Sequence, residues 1–523
     1  MKKIFSIVLT GICIVSATSC KKYLDINTNP NQPTTATPAL VFPQALTATA
    51  SLISNSGDYN EYGSRLNGYF GNAGGFGSLG NLISYNFTTG DFNGLFQNTY
   101  DNLEDYQYII DNTDPSSIEN ATANIMRAYD FQMLVDTYNK VPYLDALKGS
   151  SVLQPTYTDG EVIYKDLGDK LDAAIATLNA GTTSGVFGTS DVLFKGDLSL
   201  WKKFANTLKL RLIIRAGSKV AFTKPTPDAT VGFLTTDALV NPGYTKTVGK
   251  QNPMWDKWAF SETGAVRGAA NVYLASPWIL SFFNGTKIDD PARGKVIFFG
   301  YNGASTLSNQ LGNTSASASK APTPAFFYTL RDVGTTVQGS GSTGKGILKG
   351  ETAGQPLMLA AESYLLQSEA AVRGIISGAD AKALFNNGIK ASFNYLYKDA
   401  SGTVVGDANG DYATYLSNNS TNRLVNFDLA GTNEQKVEAI INQKYIALAY
   451  LFGAEAWNEF RRTGYPAITG NTPTTTFAST VSVSTAPNKL PTRILYPVSE
   501  YSYNSANTPS GINPFSDKIF WAK

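Results

Sequence analysis

The chain has only two cysteines, Cys13 and Cys20, and both fall within its first twenty residues. No thiol remains to cross-link a body, so whatever it folds into is held by a hydrophobic core. Met1-Lys2-Lys3 is a short basic start, Ile4 to Val15 is an apolar run, and Ala17-Thr18-Ser19 are the small residues a peptidase needs before Cys20. Residues 1–19 therefore read as a lipoprotein signal peptide, with Cys20 as the lipidation site and first residue of the exported chain. Two other readings stay open: an ordinary thiol after a standard secretory signal, and an uncleaved anchor. The apolar run is shorter than the ~20 residues a spanning helix requires. With Ala17 three before the cysteine and Lys21-Lys22 after it, the pattern leaves the leaflet that carries the anchor open.

Composition narrows the chemistry. There is no histidine, which excludes Ser-His-Asp and Cys-His catalysis, histidine metal sites and imidazole proton shuttles. The 42 basic and 41 acidic residues leave no basic excess of the kind nucleic-acid binding needs. Aromatic residues reach 12% while charged ones are held to 16%, a neutral, polar texture that suits hydroxyl-rich ligands better than ionic ones.

Residues 20–38 read as a lipidated tether, since Pro30, Pro33 and Pro38 break any periodicity. At ~3.1 Å per residue it could span roughly 50 Å. Beyond it, helical periodicity dominates. Ile163, Leu167, Leu171, Ala174 and Leu178 share one face of a helix over 161–178, which Thr158-x-x-Glu161 would start as a capping box. Trp201, Phe204, Leu208 and Leu212 do the same over 198–216, with Gly217 as the stop. A third pattern over 434–452 uses Val437, Ile441, Leu448 and Phe452 behind a box at Thr432-x-x-Gln435. Further helices are expected at 39–54, 94–111, 119–138, 356–373 and 379–397. Between 218 and 355 Gly, Ser, Thr and Pro prevail, and periodicity survives only around Asn271 to Phe283. Loop-rich stretches follow at 400–431 and from 464 onward. Long loops on a helical frame are where binding is expected.

Several blocks, in order along the chain, resemble the SusD/RagB family of nutrient-binding outer-membrane lipoproteins, in particular its SusD-like second subfamily. They include Asp25-Ile26-Asn27-Thr28-Asn29-Pro30-Asn31, Val141-Pro142-Tyr143-Leu144-Asp145, Trp201-Lys202-Lys203-Phe204-Ala205-Asn206 and Ala360-Ala361-Glu362-Ser363-Tyr364. Glu455-Ala456-Trp457-Asn458-Glu459-Phe460-Arg461-Arg462 and Arg493-Ile494-Leu495-Tyr496-Pro497 complete the set. The resemblance implies a mostly α-helical, single compact domain of tetratricopeptide-like helix pairs over 39–523, with 218–355 as a loop-rich, ligand-binding insertion. It also implies a non-catalytic protein without cofactor that captures a glycan, or less readily an oligopeptide, for a SusC-like TonB-dependent transporter at the outer membrane. Asp136-Thr137-Tyr138-Asn139-Lys140, where many relatives carry Trp-Gly, and Tyr445, where they carry Trp, are departures.

Sugar rings stack on flat aromatic faces while their hydroxyls seek hydrogen bonds. Trp255 and Trp258, in the loop-rich insertion, are the first candidates for such a platform. Tyr69, Phe70, Phe76, Tyr85 and Phe87, in the Gly-rich segment 68–94, form a second, whereas Trp201 and Trp457 belong to helical core patterns. Gly75-x-Gly77-x-x-Gly80 lacks the βαβ setting of a dinucleotide site and reads as a loop. Asp407-x-Asn409-x-Asp411 has calcium-loop spacing but Tyr412 in place of the turn glycine and no bidentate Glu, so a solvated turn is expected. Arg461 and Arg462 are expected to pair with Glu455 and Glu459. Asp289-Asp290 and Glu434 with Glu438 keep open an alternative, a lipid-anchored glycoside hydrolase using paired carboxylates. A helical-repeat scaffold with no small ligand is the other alternative.

Overall fold

The computed structural model describes residues 36–54, 59–74, 79–181, 185–267, 272–298, 301, 308–315 and 344–523. The signal, Cys20, nearly all of the tether, Phe76 and most of Gly75-x-Gly77-x-x-Gly80 lie outside the described residues.

Periodic apolar faces become helices where the sequence places them. The longer ones are α1 (Pro38–Ser54), α2 (Tyr59–Leu66), α3 (Asn93–Asp111), α4 (Ile118–Tyr138), α5 (Gly160–Ala180) and α6 (Leu198–Ala216). They continue with α7 (Ala360–Val372), α8 (Ala381–Tyr397), α9 (Ala408–Asn418), α10 (Asn433–Ala447) and α11 (Gly453–Thr463). The α5 face of Ile163, Leu167, Leu171 and Leu178 is fully buried. Asp197 starts α6 by accepting from the Ser199 and Leu200 amides, and Gly217 ends it at φ 55°, a left-handed position that suits glycine. The Thr432–Gln435 capping box is complete in both directions.

Four expectations are corrected. Thr158 lies in a short strand, and Asp159 precedes α5 without a side-chain cap bond. The helix expected over 434–452 divides, because Tyr450 takes φ 62° and Phe452 opens α11 instead. The helix expected from 356 begins at Ala360, since Gln355–Met358 pairs as a strand with Ala238–Val240. Residues 400–431 contain α9, started by Asp407 accepting from the Gly410 amide, so the calcium-like spacing is a helix cap.

Consecutive helices pack as neighbours, α3 on α4, α4 on α5 and α7 on α8, with α5 on α6, α7 on α10 and α2 on α11 completing the frame. This is the helix-pair architecture that the resemblance implies. The strands form three two-stranded antiparallel pairs: β1 (Phe70–Asn72) with β5 (Tyr273–Ala275), β2 (Val141–Pro142) with β3 (Tyr157–Thr158), and β4 (Ala238–Val240) with β6 (Gln355–Met358). The described part of 218–355 holds only short elements. Three of them are short helices, each with Pro at its first position behind a capping side chain: Asn252 before Pro253–Trp258, Ser276 before Pro277–Leu280 and Asp290 before Pro291–Ile297. The periodicity seen around 271–283 is thus β5 followed by a single helical turn.

All six tryptophans are buried. At the centre, Arg215 of α6 bridges Asp136 of α4 (2.5 Å) to Glu455 and Glu459 of α11. Lys444 of α10 reaches Glu459 (3.0 Å) and Glu362 of α7 (3.3 Å), while Arg462 clamps Glu369 with two bonds of 2.7 Å and pairs with Glu459. Arg461 instead donates to the Asp136 and Thr492 carbonyls. Among the described residues no helix is long and apolar enough to cross a membrane.

Candidate functional site

The residues expected to stack on sugars are packed inside the protein. Trp255 and Trp258 lie on the turn Pro253–Trp258 and are each 1% exposed, against Phe260 (ring centres 5.8 Å) and Phe70 (5.7 Å) respectively. A ring covered on both faces by protein cannot receive a sugar face, so the expectation that they form a platform is corrected. Tyr69, Phe70, Tyr85 and Phe87 are buried for the same reason. The structure does bring three of them together: Tyr69, Phe70 and Trp258 join Tyr273, Tyr445 and Tyr450 in one aromatic layer. Phe70 stacks on Tyr273 at 4.3 Å, and Tyr69 donates to the Tyr445 carbonyl (2.5 Å). Burial pushes the Tyr69 phenol well above its ordinary range. Tyr85 and Phe87 form a separate pair at 6.2 Å.

This aromatic layer supports an open cleft of about 680 Å³. The β1–β5 pair carries segment 308–315 on its edge: Ser308 bridges Ala275, Asn309 donates to the Asn72 carbonyl (3.0 Å), and the Asn72 amide donates to Gln310 (3.3 Å). Gly71 is required there, since a Cβ on it would lie 1.8 Å from the Asn309 carbonyl oxygen. Asn309 is the keystone, because its Nδ2 also donates to the Asn313 carbonyl while its Oδ1 accepts from Asn313 Nδ2, both at 2.9 Å. Ser308, Gln310, Asn313, Thr314 and Ser315 then line one wall, and Pro277, Pro473 and Thr480 line the other. Gly312 brings the walls into contact, with its Cβ position 2.5 Å from Ser479 Oγ and 2.6 Å from Thr480 Oγ1.

The far wall is anchored by aromatics, one of which, Tyr85, is among the residues expected to bind. Tyr85 Oη accepts from the Ser479 amide (3.2 Å), and Phe477 packs edge-on against Trp278 at 5.1 Å. Lys287 Nζ lies 3.0 Å from the centre of the Trp278 ring, and burial pulls that amine down to about 7.

Every described lining residue of the cleft is uncharged, either an amide, a hydroxyl, a glycine or a proline. The Gln310 and Thr314 side chains have no hydrogen-bond partner among the described residues, which leaves an amide and a hydroxyl free for a ligand. The sequence signal for this site was the run Ser308-Asn309-Gln310-Leu311-Gly312-Asn313-Thr314-Ser315, within the expected binding insertion. The acidic pairs are engaged elsewhere: Asp290 caps and pairs with Arg293, Asp289 accepts from Asn418, Glu434 accepts from Tyr465 and Glu438 pairs with Arg423.

The helix-pair frame thus presents a preformed, uncharged cleft on its loop side. The chain belongs to the SusD-like second family, described as starch-binding and associating with the outer membrane, whose family model matches residues 30–497. The fold is similar to that of an outer-membrane protein from Bacteroides vulgatus (TM-score 0.69, 21% identity, 93% of this chain and 100% of that one). It is also similar to a SusD homologue from Bacteroides fragilis (0.68, 20%, 94% and 100%) and to a chitin-binding SusD homologue from Flavobacterium johnsoniae (0.67, 21%, 92% and 98%). No curated protein matches the chain in sequence.

Proposed function

We propose that this protein captures a neutral glycan in the cleft between segments 308–315 and 473–480, without turning it over, and delivers it to a SusC-like TonB-dependent transporter. Acyl chains on Cys20 would hold it at the outer membrane, with the Pro-rich tether giving the body reach. The observation that carries this reading is the uncharged lining of the cleft. A family described as starch-binding and a chitin-binding structural relative support a carbohydrate ligand.

Affinity gels and calorimetry with soluble starch, chitin oligomers and other neutral glycans test it. One of them should bind, and Gln310→Ala with Thr314→Ala should weaken that binding about tenfold, the loss of one to two hydrogen bonds. Unchanged affinity in the double variant would reject the cleft, and release of reducing ends by the pure protein would reject capture without turnover. Radiolabelled palmitate should enter the protein in its native host and should be lost in Cys20→Ala. Label that persists in that variant would remove Cys20 as the anchor.

A further inference from the structure

A second groove, of about 340 Å³, lies on the helical side of the molecule between α3, the loop 142–155 and the helical turn Val498–Tyr503. Its walls are tied to one another. Gln97 Nε2 donates to Ser499 Oγ (3.2 Å), Gln154 Nε2 to the Tyr503 carbonyl (3.1 Å) and Asn504 Nδ2 to the Pro155 carbonyl (2.9 Å). Tyr100 Oη closes the floor by donating to the Pro142 carbonyl (2.6 Å). The groove therefore exists before any ligand arrives.

Its rim carries what the uncharged cleft lacks. Tyr503 is 78% exposed, the only aromatic ring among the described residues that stands open to solvent, and Leu153 beside it is 80% exposed. Opposite them, Asp101 and Glu104 stand three residues apart on α3 and so share one face. Neither takes part in an ion pair or hydrogen bond among the described residues. Glu500 adds a third carboxylate, accepting from Tyr157 (2.7 Å), while the cation of the groove, Lys148, is already paired with Asp145 (3.1 Å). Partial burial, then Asp111, Asp101 and Asp105, raise the Glu104 carboxyl above its ordinary value, so a cation placed beside it relieves a repulsion already present.

We propose that this groove is a second carbohydrate site, selective for sugars that carry a free amine, with the ring face of a glucosamine-type residue on Tyr503 and its ammonium facing Asp101 and Glu104. An exposed ring face flanked by amides and carboxylates is the arrangement that a charged sugar ring fills, by stacking, cation–π attraction and ion pairing together. A basic peptide fits less well. The carbonyls of Pro142, Gln154, Pro155 and Tyr503 along the rim already accept hydrogen bonds, which leaves few main-chain partners for a polypeptide. The site stands apart from the uncharged cleft and does not depend on which glycan that cleft holds.

Titration of the full chain with the glucosamine hexamer at pH 6, followed by calorimetry, tests the proposal. Binding should weaken about tenfold in Tyr503→Ala and in Asp101→Asn with Glu104→Gln, as expected for loss of one aromatic or ionic contact. The Gln310→Ala and Thr314→Ala variant should bind the hexamer as the parent does, which separates this site from the cleft. The fully N-acetylated hexamer, which has lost the charge, should bind at least tenfold more weakly here than the amine form. Measured in the Gln310→Ala and Thr314→Ala background, where the cleft is disabled, equal affinity for the two hexamers, full retention on adding Tyr503→Ala, or equally tight binding of a lysine hexapeptide would each overturn it.

Discussion

Asp130 lies in a polar knot where α1, α3 and α4 meet. Asn102 Nδ2 donates to it at 2.7 Å, Thr49 Oγ1 approaches both its oxygens at 3.3 Å, and Tyr106 shares that hydroxyl at 2.8 Å. No cation pairs with it among the described residues, so burial wins over these hydrogen bonds and pushes its carboxyl up to about 8. The folded chain thus holds a proton that the unfolded chain releases near 4. Stability from this group is full below that value and is lost progressively as pH rises toward 8. Asp130→Asn keeps a donor and an acceptor in place without the proton. Its melting temperature should match the parent near pH 4 and exceed it at pH 8, and its gain in unfolding free energy should reach about 4 kcal/mol at pH 7. A difference that stays flat with pH would show that Asp130 is ionised in the fold. The sequence could not reveal this, because an Asp within a helical pattern is ordinarily surface. Trp255 and Trp258 failed in the opposite sense: composition marks them as aromatics in a loop region, and only packing shows that their faces are already taken by Phe260 and Phe70.

Between helices, α2 lies very close against α11. A Cβ on Gly63 would lie 2.0 Å from the Gly453 carbonyl carbon, and one on Gly453 would lie 2.3 Å from the Asn60 carbonyl oxygen. Asn60 fixes the crossing from both ends, donating to the Tyr450 carbonyl (2.8 Å) and accepting from the Gly453 amide (2.9 Å). Gly453→Ala must push the two helices apart. It should cost at least about 3 kcal/mol, in the range of severe overpacking, and lower the urea midpoint accordingly. A midpoint within experimental error of the parent would show that α2 slides freely on α11. This contact explains why the pattern over 434–452 misled: periodicity runs through Leu448 and Phe452, but the chain must turn at Tyr450 to bring Gly453 against α2. Where the signal is local, as in the Thr432–Gln435 box or Gly217, the sequence was sufficient. The helix α2 itself is only eight residues long and depends on its partner, which no window of sequence contains.

Across the whole molecule, the helix-pair frame could be read from residue patterns, and the proposed cleft draws on two of the expected loop-rich stretches. The cleft itself could not, since segments 308–315 and 473–480, more than 150 residues apart, meet where Gly312 approaches Ser479 and Thr480. The same holds for the buried charge network, which ties α4, α6, α7, α10 and α11 through residues scattered from Asp136 to Arg462. Such a network contributes less to stability than its bonds suggest when intact, because each charge has lost its water, yet removing one member leaves the others uncompensated. Arg215 faces Asp136, Glu455 and Glu459 at once, and Arg215→Met would leave Glu455 paired with Lys444 and Glu459 with Lys444 and Arg462. We expect that variant to lose about 3–5 kcal/mol in urea unfolding, and to lose less when Asp136→Asn is added, since the second change removes a stranded charge. Glycan affinity measured well below the unfolding transition should be unchanged in both, because neither residue lines the cleft. If affinity falls while stability holds, the network acts on the cleft and not only on the frame beneath it.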